Sequence, residues 1–280
     1  MHIDSHITAK FKRMHARVRF AEVRLGWRQN SLQDAVAFRF DIGKDARGQF
    51  FDLRLNPVKV KDVLVLDSRP RERHLLLMVR EQIREDRLLV VKDHRVLMGH
   101  DEREWFLAGL PESQRVTTVR QAMEALKPDD VKVSQARHGV KTRNLNKRRN
   151  GGFKRQGEWF FIPVHGLPES SELVHRNEPL QRGAGKPHIA QFLVRTGGRT
   201  GYVRSWGGKV YEQEEWHSLI KEGRGGNPRS WQIVTIEPEI YVRGRVRHPD
   251  HKTVDLPGWH RVLPNTEQES GTFLPIAYVD

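Results

Sequence analysis

The apolar residues of this chain come in short bursts of five to nine, each closed off by turn-forming or charged residues. Bursts of that length favour strands over long helices, and near-alternation gives each strand one buried and one wet face. Ala35–Ile42 and Gln49–Leu55 read as strands joined by a turn at Asp45–Gly48, and Val58–Leu66 alternates as a third. His74–Val79 is continuously apolar, with Leu88–Lys92 as its hairpin partner. Further along, Glu158–Val164, Trp231–Ile236, Ile240–Arg247, Trp259–Leu263 and Thr272–Val279 read as strands.

Helical signals are few. Val116–Leu126 puts Val116, Val119, Met123 and Leu126 on one face, with Ser113 as cap and Pro128 as stop. Glu212–Glu222 has acids in its first turn and Gly223 as its end. Asp101 is placed to cap a short third helix anchored by Trp105 and Phe106. Strands and helices do not alternate as βαβ units. The expected class is therefore α+β, with mixed short-strand sheets and a few helices in two modest subdomains.

Glycine marks the boundary between them. Residues 1–150 hold 6 Gly and residues 151–280 hold 17. The expected division is a packed α+β domain over 1–130, a basic connecting segment over 131–156, and a Gly-rich, β-dominated domain over 157–280. With no Cys, the chain has no disulfide, thiolate metal site or Cys nucleophile. No window approaches 18 apolar residues and no secretory apolar stretch opens the chain, so a soluble, cytoplasmic protein with no membrane partner is expected.

Charge narrows the function. The net charge is +14 and the isoelectric point about 10.3. Nine basic residues and no acid lie between Lys132 and Arg155, and the other 256 residues carry a balance of only +5. A clustered excess of this kind is a footprint of nucleic-acid binding. Within the stretch, Arg137, Lys141, Arg143, Lys147, Arg148, Arg149, Lys154 and Arg155 would contact phosphates, and Phe153 and Trp159 would stack on bases. The alternative is a solvated flexible linker, or a contact to anionic lipid or to a protein tail.

A second candidate is Tyr241-Val-Arg-Gly-Arg-Val-Arg247. In a strand, Arg243, Arg245 and Arg247 share one face at roughly 6.6–6.8 Å spacing, a ladder matched to a phosphate backbone. The opposing reading is a row of Arg that blunts an exposed strand edge or pairs with carboxylates. Four glycine-and-base loops, 182–186, 197–201, 207–209 and 223–226, offer backbone N–H groups to anions, but none is a P-loop: Pro187 follows Gly185-Lys186 where Ser or Thr is needed.

The third candidate is His248, Asp250, His251 and His260, brought together if Leu256-Pro-Gly258 turns a hairpin. Three imidazoles and a carboxylate suit a divalent metal ion, the one cofactor the sequence suggests, or acid–base work on a phosphodiester. The expectation is thus a nucleic-acid-binding protein, with single strands or RNA favoured because no helix-turn-helix, zipper or zinc finger is visible. Two alternatives stand beside it: a metal- or His-dependent nuclease, and a basic structural subunit of a larger ribonucleoprotein or protein complex. Whether the chain is an enzyme is left open at this point.

Overall fold

Half of the chain is strand and 18% is helix, more sheet-rich than the α+β expectation, in several small sheets. The computed structural model describes residues 5–23, 36–85, 88–167, 173–182, 186–204, 209–267 and 277–278. No helix among them is long and apolar enough to cross a membrane. The chain divides into two compact units. The first comprises residues 1–132, 141–147 and 265–270, and the second comprises 133–140, 148–264 and 271–280. Residues 131–156 are therefore shared between the units.

In the first unit, α1 (Ser5–Arg13) buries Ile7 and Phe11. They join a core with Phe51, Leu53, Leu75 and Trp105. Strands β1 (Val18–Glu22), β2 (Phe38–Asp45) and β3 (Gly48–Leu55) form a three-stranded sheet in the order β1-β3-β2. Strands β4 (Val60–Arg69), β5 (His74–Glu85), β6 (Leu88–Asp101) and β7 (Glu104–Gly109) follow as an antiparallel meander. β5 and β6 pair residue by residue from His74↔Gly99 to Glu85↔Leu88. The helix expected after Asp101 is instead a tight turn between β6 and β7, with Glu102 at φ +52. Its acids suit a first helical turn, but Trp105 and Leu107 pack into one core and Phe106 and Ala108 into another, the alternation of a strand. Helix α2 (Val119–Ala125) starts later than read, because Thr118 and Gln121 close a capping box.

Helix α3 (Asp129–Arg137) begins where the first unit ends and finishes in the second. Its acidic first turn lay hidden beside the basic run. The second unit is built on a six-stranded antiparallel sheet. Its strands are β8 (Lys154–Gln156), β9 (Trp159–Pro163), β10 (His175–Leu180), β11 (His188–Thr196), β15 (Glu239–Arg247) and β16 (Val254–Pro264). Their order is β10-β11-β15-β16-β9-β8. A smaller sheet joins β12 (Arg199–Val203), β13 (Tyr211–Glu212), β14 (Gln232–Ile236) and β17 (Ala277–Tyr278), with α4 (Gln213–Lys221) following β13. Most of the strand read over Thr272–Val279 lies outside the described residues.

One face of the large sheet carries the core: Trp159, Phe161, Leu193, Val242, Val246 and Leu256 are all essentially excluded from solvent. The alternate residues of β11 and β15 point the other way. Leu256-Pro-Gly258 is an irregularity inside β16, not a hairpin turn. The actual turn between β15 and β16 is 248–253.

Candidate nucleic-acid interface and histidine cluster

Arg243, Arg245 and Arg247 are all exposed, with buried Val246 pointing the opposite way. Tyr241 is inside, its hydroxyl donating to Glu239 at 2.8 Å. Opposite β11, β15 carries one extra residue, which makes a bulge at Gly244, where φ is +83. A Cβ there would lie 2.5 Å from the Gln191 side-chain oxygen, which accepts the Arg245 N–H at 3.0 Å. Glycine is thus required twice, by φ and by space. The bulge keeps Arg243 and Arg245 on the solvent face.

Aromatics from neighbouring strands stand beside the row. The Arg243 guanidinium lies 5.3 Å from the Phe192 ring centre and 5.0 Å from that of Trp259. Arg176 approaches Phe192 from β10 at 5.6 Å. Arg176, Asn177, Gln191, Phe192, Arg245 and Arg247 line a groove of about 230 Å³. Arg247 donates to the Asn177 side chain at 3.1 Å. β15 lies inside the sheet, between β11 and β16, so the row does not blunt a sheet edge. Asp255 stands opposite Arg245 in the ladder, and among the described residues no carboxylate ion-pairs with Arg243, Arg245 or Arg247. No local sequence signal marks Phe192 or Trp259, because both gain their Arg243 contact only through the pairing of neighbouring strands.

The 132–155 stretch is folded. Arg148-Arg149 and Lys154-Arg155 are the arms of a tight hairpin, with Arg149 and Lys154 bridged and the Arg155 N–H donating to the Arg148 carbonyl at 2.8 Å. Asn150 turns it, its side-chain oxygen accepting from the Gly152 and Phe153 N–H groups. Gly152 packs against the Gln135 backbone of α3, where a Cβ would meet the Gln135 N at 2.8 Å. The close approach expected of Gly151-Gly152 is therefore to a helix. Burial, with Arg155 and Arg149 nearby, pushes Arg148 down to about 9. Arg137, Lys141, Arg143, Lys147 and Arg149 are exposed, and Lys154 donates to the Asp255 carbonyl at 2.6 Å.

Phe153 is 2% exposed, edge-to-face with Phe160, and Trp159 is 1% exposed. Neither offers a ring face to a base, which corrects the stacking role expected of them. Their apolar neighbours in the same hairpin compete for them as core.

Of the glycine-rich loops, residues 183–185 and 207–208 lie outside the described residues. Gly197-Gly198 turns β11 into β12 at positive φ, and Gly223 ends α4 at φ +70.

The histidines gather differently from the expectation. His248 and His251 lie in the β15–β16 turn, and the third imidazole is His188, the first residue of β11. One ring nitrogen from each lies within 4.8 Å of the others. The His188 and His248 rings stack at 4.2 Å, and those of His248 and His251 approach to 4.6 Å. His260 is not among them. It sits well inside β16 opposite Val242, its Nδ1 2.8 Å from the Gly258 carbonyl. Asp250 is ion-paired with Lys186 at 2.8 Å, and its N–H donates to His248 Nδ1 at 3.1 Å.

Burial, helped by the neighbouring imidazoles, pushes His188 down to about 3. Burial, with His248 and Arg148, pushes His251 down to about 4. Both rings are therefore neutral near pH 7, the form that ligates a metal. Burial pushes the Glu158 carboxyl upward, against the pull of His248 and Arg182.

Comparison with known proteins finds no matching family model, no similar curated protein and no similar solved structure.

Proposed function

We propose that this chain binds nucleic acid, with single strands or RNA favoured, on the solvent face of β10, β11, β15 and β16. The observation that carries the reading is the row Arg243, Arg245 and Arg247, whose side chains make no ion pair among the described residues, with Phe192 and Trp259 beside Arg243. Guanidinium groups hold phosphates, while ring faces accept unstacked bases, which a duplex does not present. The exposed bases of 132–155, Arg137, Lys141, Arg143, Lys147 and Arg149, add sequence-independent attraction.

The test is titration of a labelled oligonucleotide at four salt concentrations. Three guanidinium groups on a single strand contribute about −2 to the slope of log K against log salt, at roughly −0.7 per phosphate. Arg243→Ser with Arg245→Ser should flatten the slope by about 1.4 and weaken all sequences alike. Trp259→Ala should cost about 1–3 kcal/mol with little change in slope. An unchanged slope in the double variant overturns the reading.

A second reading, cleavage of the bound strand, is favoured by the convergence of three imidazoles in the same unit. Run on a gel with zinc present, the same titrations should then show metal-dependent shortening that His251→Gln abolishes while binding persists.

A further inference from the structure

We infer that His188, His248 and His251 form a site for one divalent transition-metal ion of the zinc class, with Gly157 holding open the space in front of two of the ligands. This stands independently of strand binding.

His188 carries the argument. It is 1% exposed, and neither ring nitrogen has a hydrogen-bond partner among the described residues. A buried polar group left unsatisfied is costly, so natural folds rarely keep two on one ring without a use. A metal ion uses one of them.

Gly157 shows where the ion sits. It opens the two-residue loop between β8 and β9 at φ +57. A Cβ at this position would lie 2.9 Å from His251 Nε2 and 3.2 Å from His188 Nε2. The two nitrogens therefore converge on one small space beside the Gly157 Cα, which any side chain would fill. The positive φ of this two-residue turn favours glycine by itself, and the missing Cβ leaves that space open. In a tetrahedral zinc site with ligand nitrogens at about 2.0–2.1 Å, the nitrogens lie about 3.3 Å apart, so movements of an ångström or two gather this set.

The donor set chooses the ion. Three imidazoles and no thiolate suit zinc, copper, nickel or cobalt over magnesium or calcium, which prefer oxygen. Three protein ligands also leave a fourth position for water or an anion. His248 exchanges a contact on binding: its Nδ1 accepts from the Asp250 N–H, and its Nε2 lies 3.2 Å from the Lys186 carbonyl. Arg148, Arg155 and Lys186 weigh against a bare cation, and Asp250 offsets them in part. The same cations favour an anionic fourth ligand. The rival account is a stack of imidazoles that merely pack.

The experiment uses full-length, tag-free protein stripped by a chelator and titrated with cobalt(II), then zinc. The expected result is one equivalent of cobalt with the intense visible bands of a tetrahedral site, displaced by zinc and not by magnesium. His188→Gln and His251→Gln, close in size and checked for folding by circular dichroism, should each weaken zinc at least 100-fold. Gly157→Ala should weaken it while leaving every ligand in place, whereas His138→Gln, on an exposed histidine, should change nothing. The inference is overturned if the wild-type protein takes up less than one equivalent, or if the His188→Gln/His251→Gln double variant binds as tightly as the wild type. Wild-type stoichiometry decides the matter even where a variant fails to fold. Arg243→Ser with Arg245→Ser should retain the metal, so a failed ion site and a failed strand-binding face read out separately.

Discussion

Phe153 illustrates how far a single residue can mislead. Between Asn150 and Lys154 it looks like an aromatic offered to a ligand. The polar groups around it are instead occupied in turning the hairpin, and the ring is driven inward against Phe160. Phe153→Ala should therefore act as a core truncation, costing about 3–5 kcal/mol of stability. Denaturant unfolding measures this. A stable variant with selectively weakened oligonucleotide binding would restore the stacking role. His188 is the converse case. It stands 60 residues from His248 in sequence, so no local spacing betrays the pair. The one available signal was the run His188–Thr196, whose unbroken stretch before Gly197-Gly198 marks a strand with His188 at its start.

At the scale of elements, strands were legible where apolar and polar residues alternate or an apolar run is uninterrupted. β3, β4, β9, β14 and β15 lie close to where alternation and turn residues put them. β5 and β6 run far past their apolar segments, because pairing from His74 to Glu85 carries polar residues along. The turn at Glu102 was read as a helix start because acids near a cap look alike in either setting. The Pro257-Gly258 irregularity was read as a turn because the sheet that holds it straight is non-local. The bulge at Gly244 makes the most specific demand on sequence. Gly244→Ala should destabilise the second unit by about 1–3 kcal/mol, since φ +83 strains any L-residue and the Cβ meets Gln191. It should also weaken oligonucleotide binding by displacing Arg243 against Arg245. Unchanged unfolding and unchanged affinity would mean that the strand relaxes without cost.

For the whole molecule, the sequence conveyed the charge excess and the two-part organisation of glycine, but not how the basic stretch would be used. Some of its members, such as Arg148, are half-buried in a hairpin, and others are exposed. Charge also pairs within the first unit. Arg17 donates twice to the Asp45 carboxylate at 2.7 Å, and Arg19 joins it. The Arg17 hydrogen bonds, more than the charge alone, hold Asp45 well below the usual carboxylate range. A carboxyl depressed in the folded state adds stability above its unfolded value near 3.9 and loses it as pH falls toward the folded value. Arg17→Gln should therefore lower stability at pH 7 and flatten its decline below about pH 4. Thermal unfolding between pH 2 and 7 checks this, and parallel curves for the two proteins would assign acid sensitivity to other groups.

The pairing of β11 with β15 carries a further consequence. Ile189 faces Arg247 in the ladder, which is what brings His188 beside the turn holding His248 and His251. Side chains alternate along a strand, so a slip of one residue would turn His188 to the opposite side of the sheet and scatter the three rings. The trio is thus an internal gauge of alignment. Two strands with residues 197–238 between them must have zipped in phase before these histidines can meet, and any probe that senses their meeting times that event during folding.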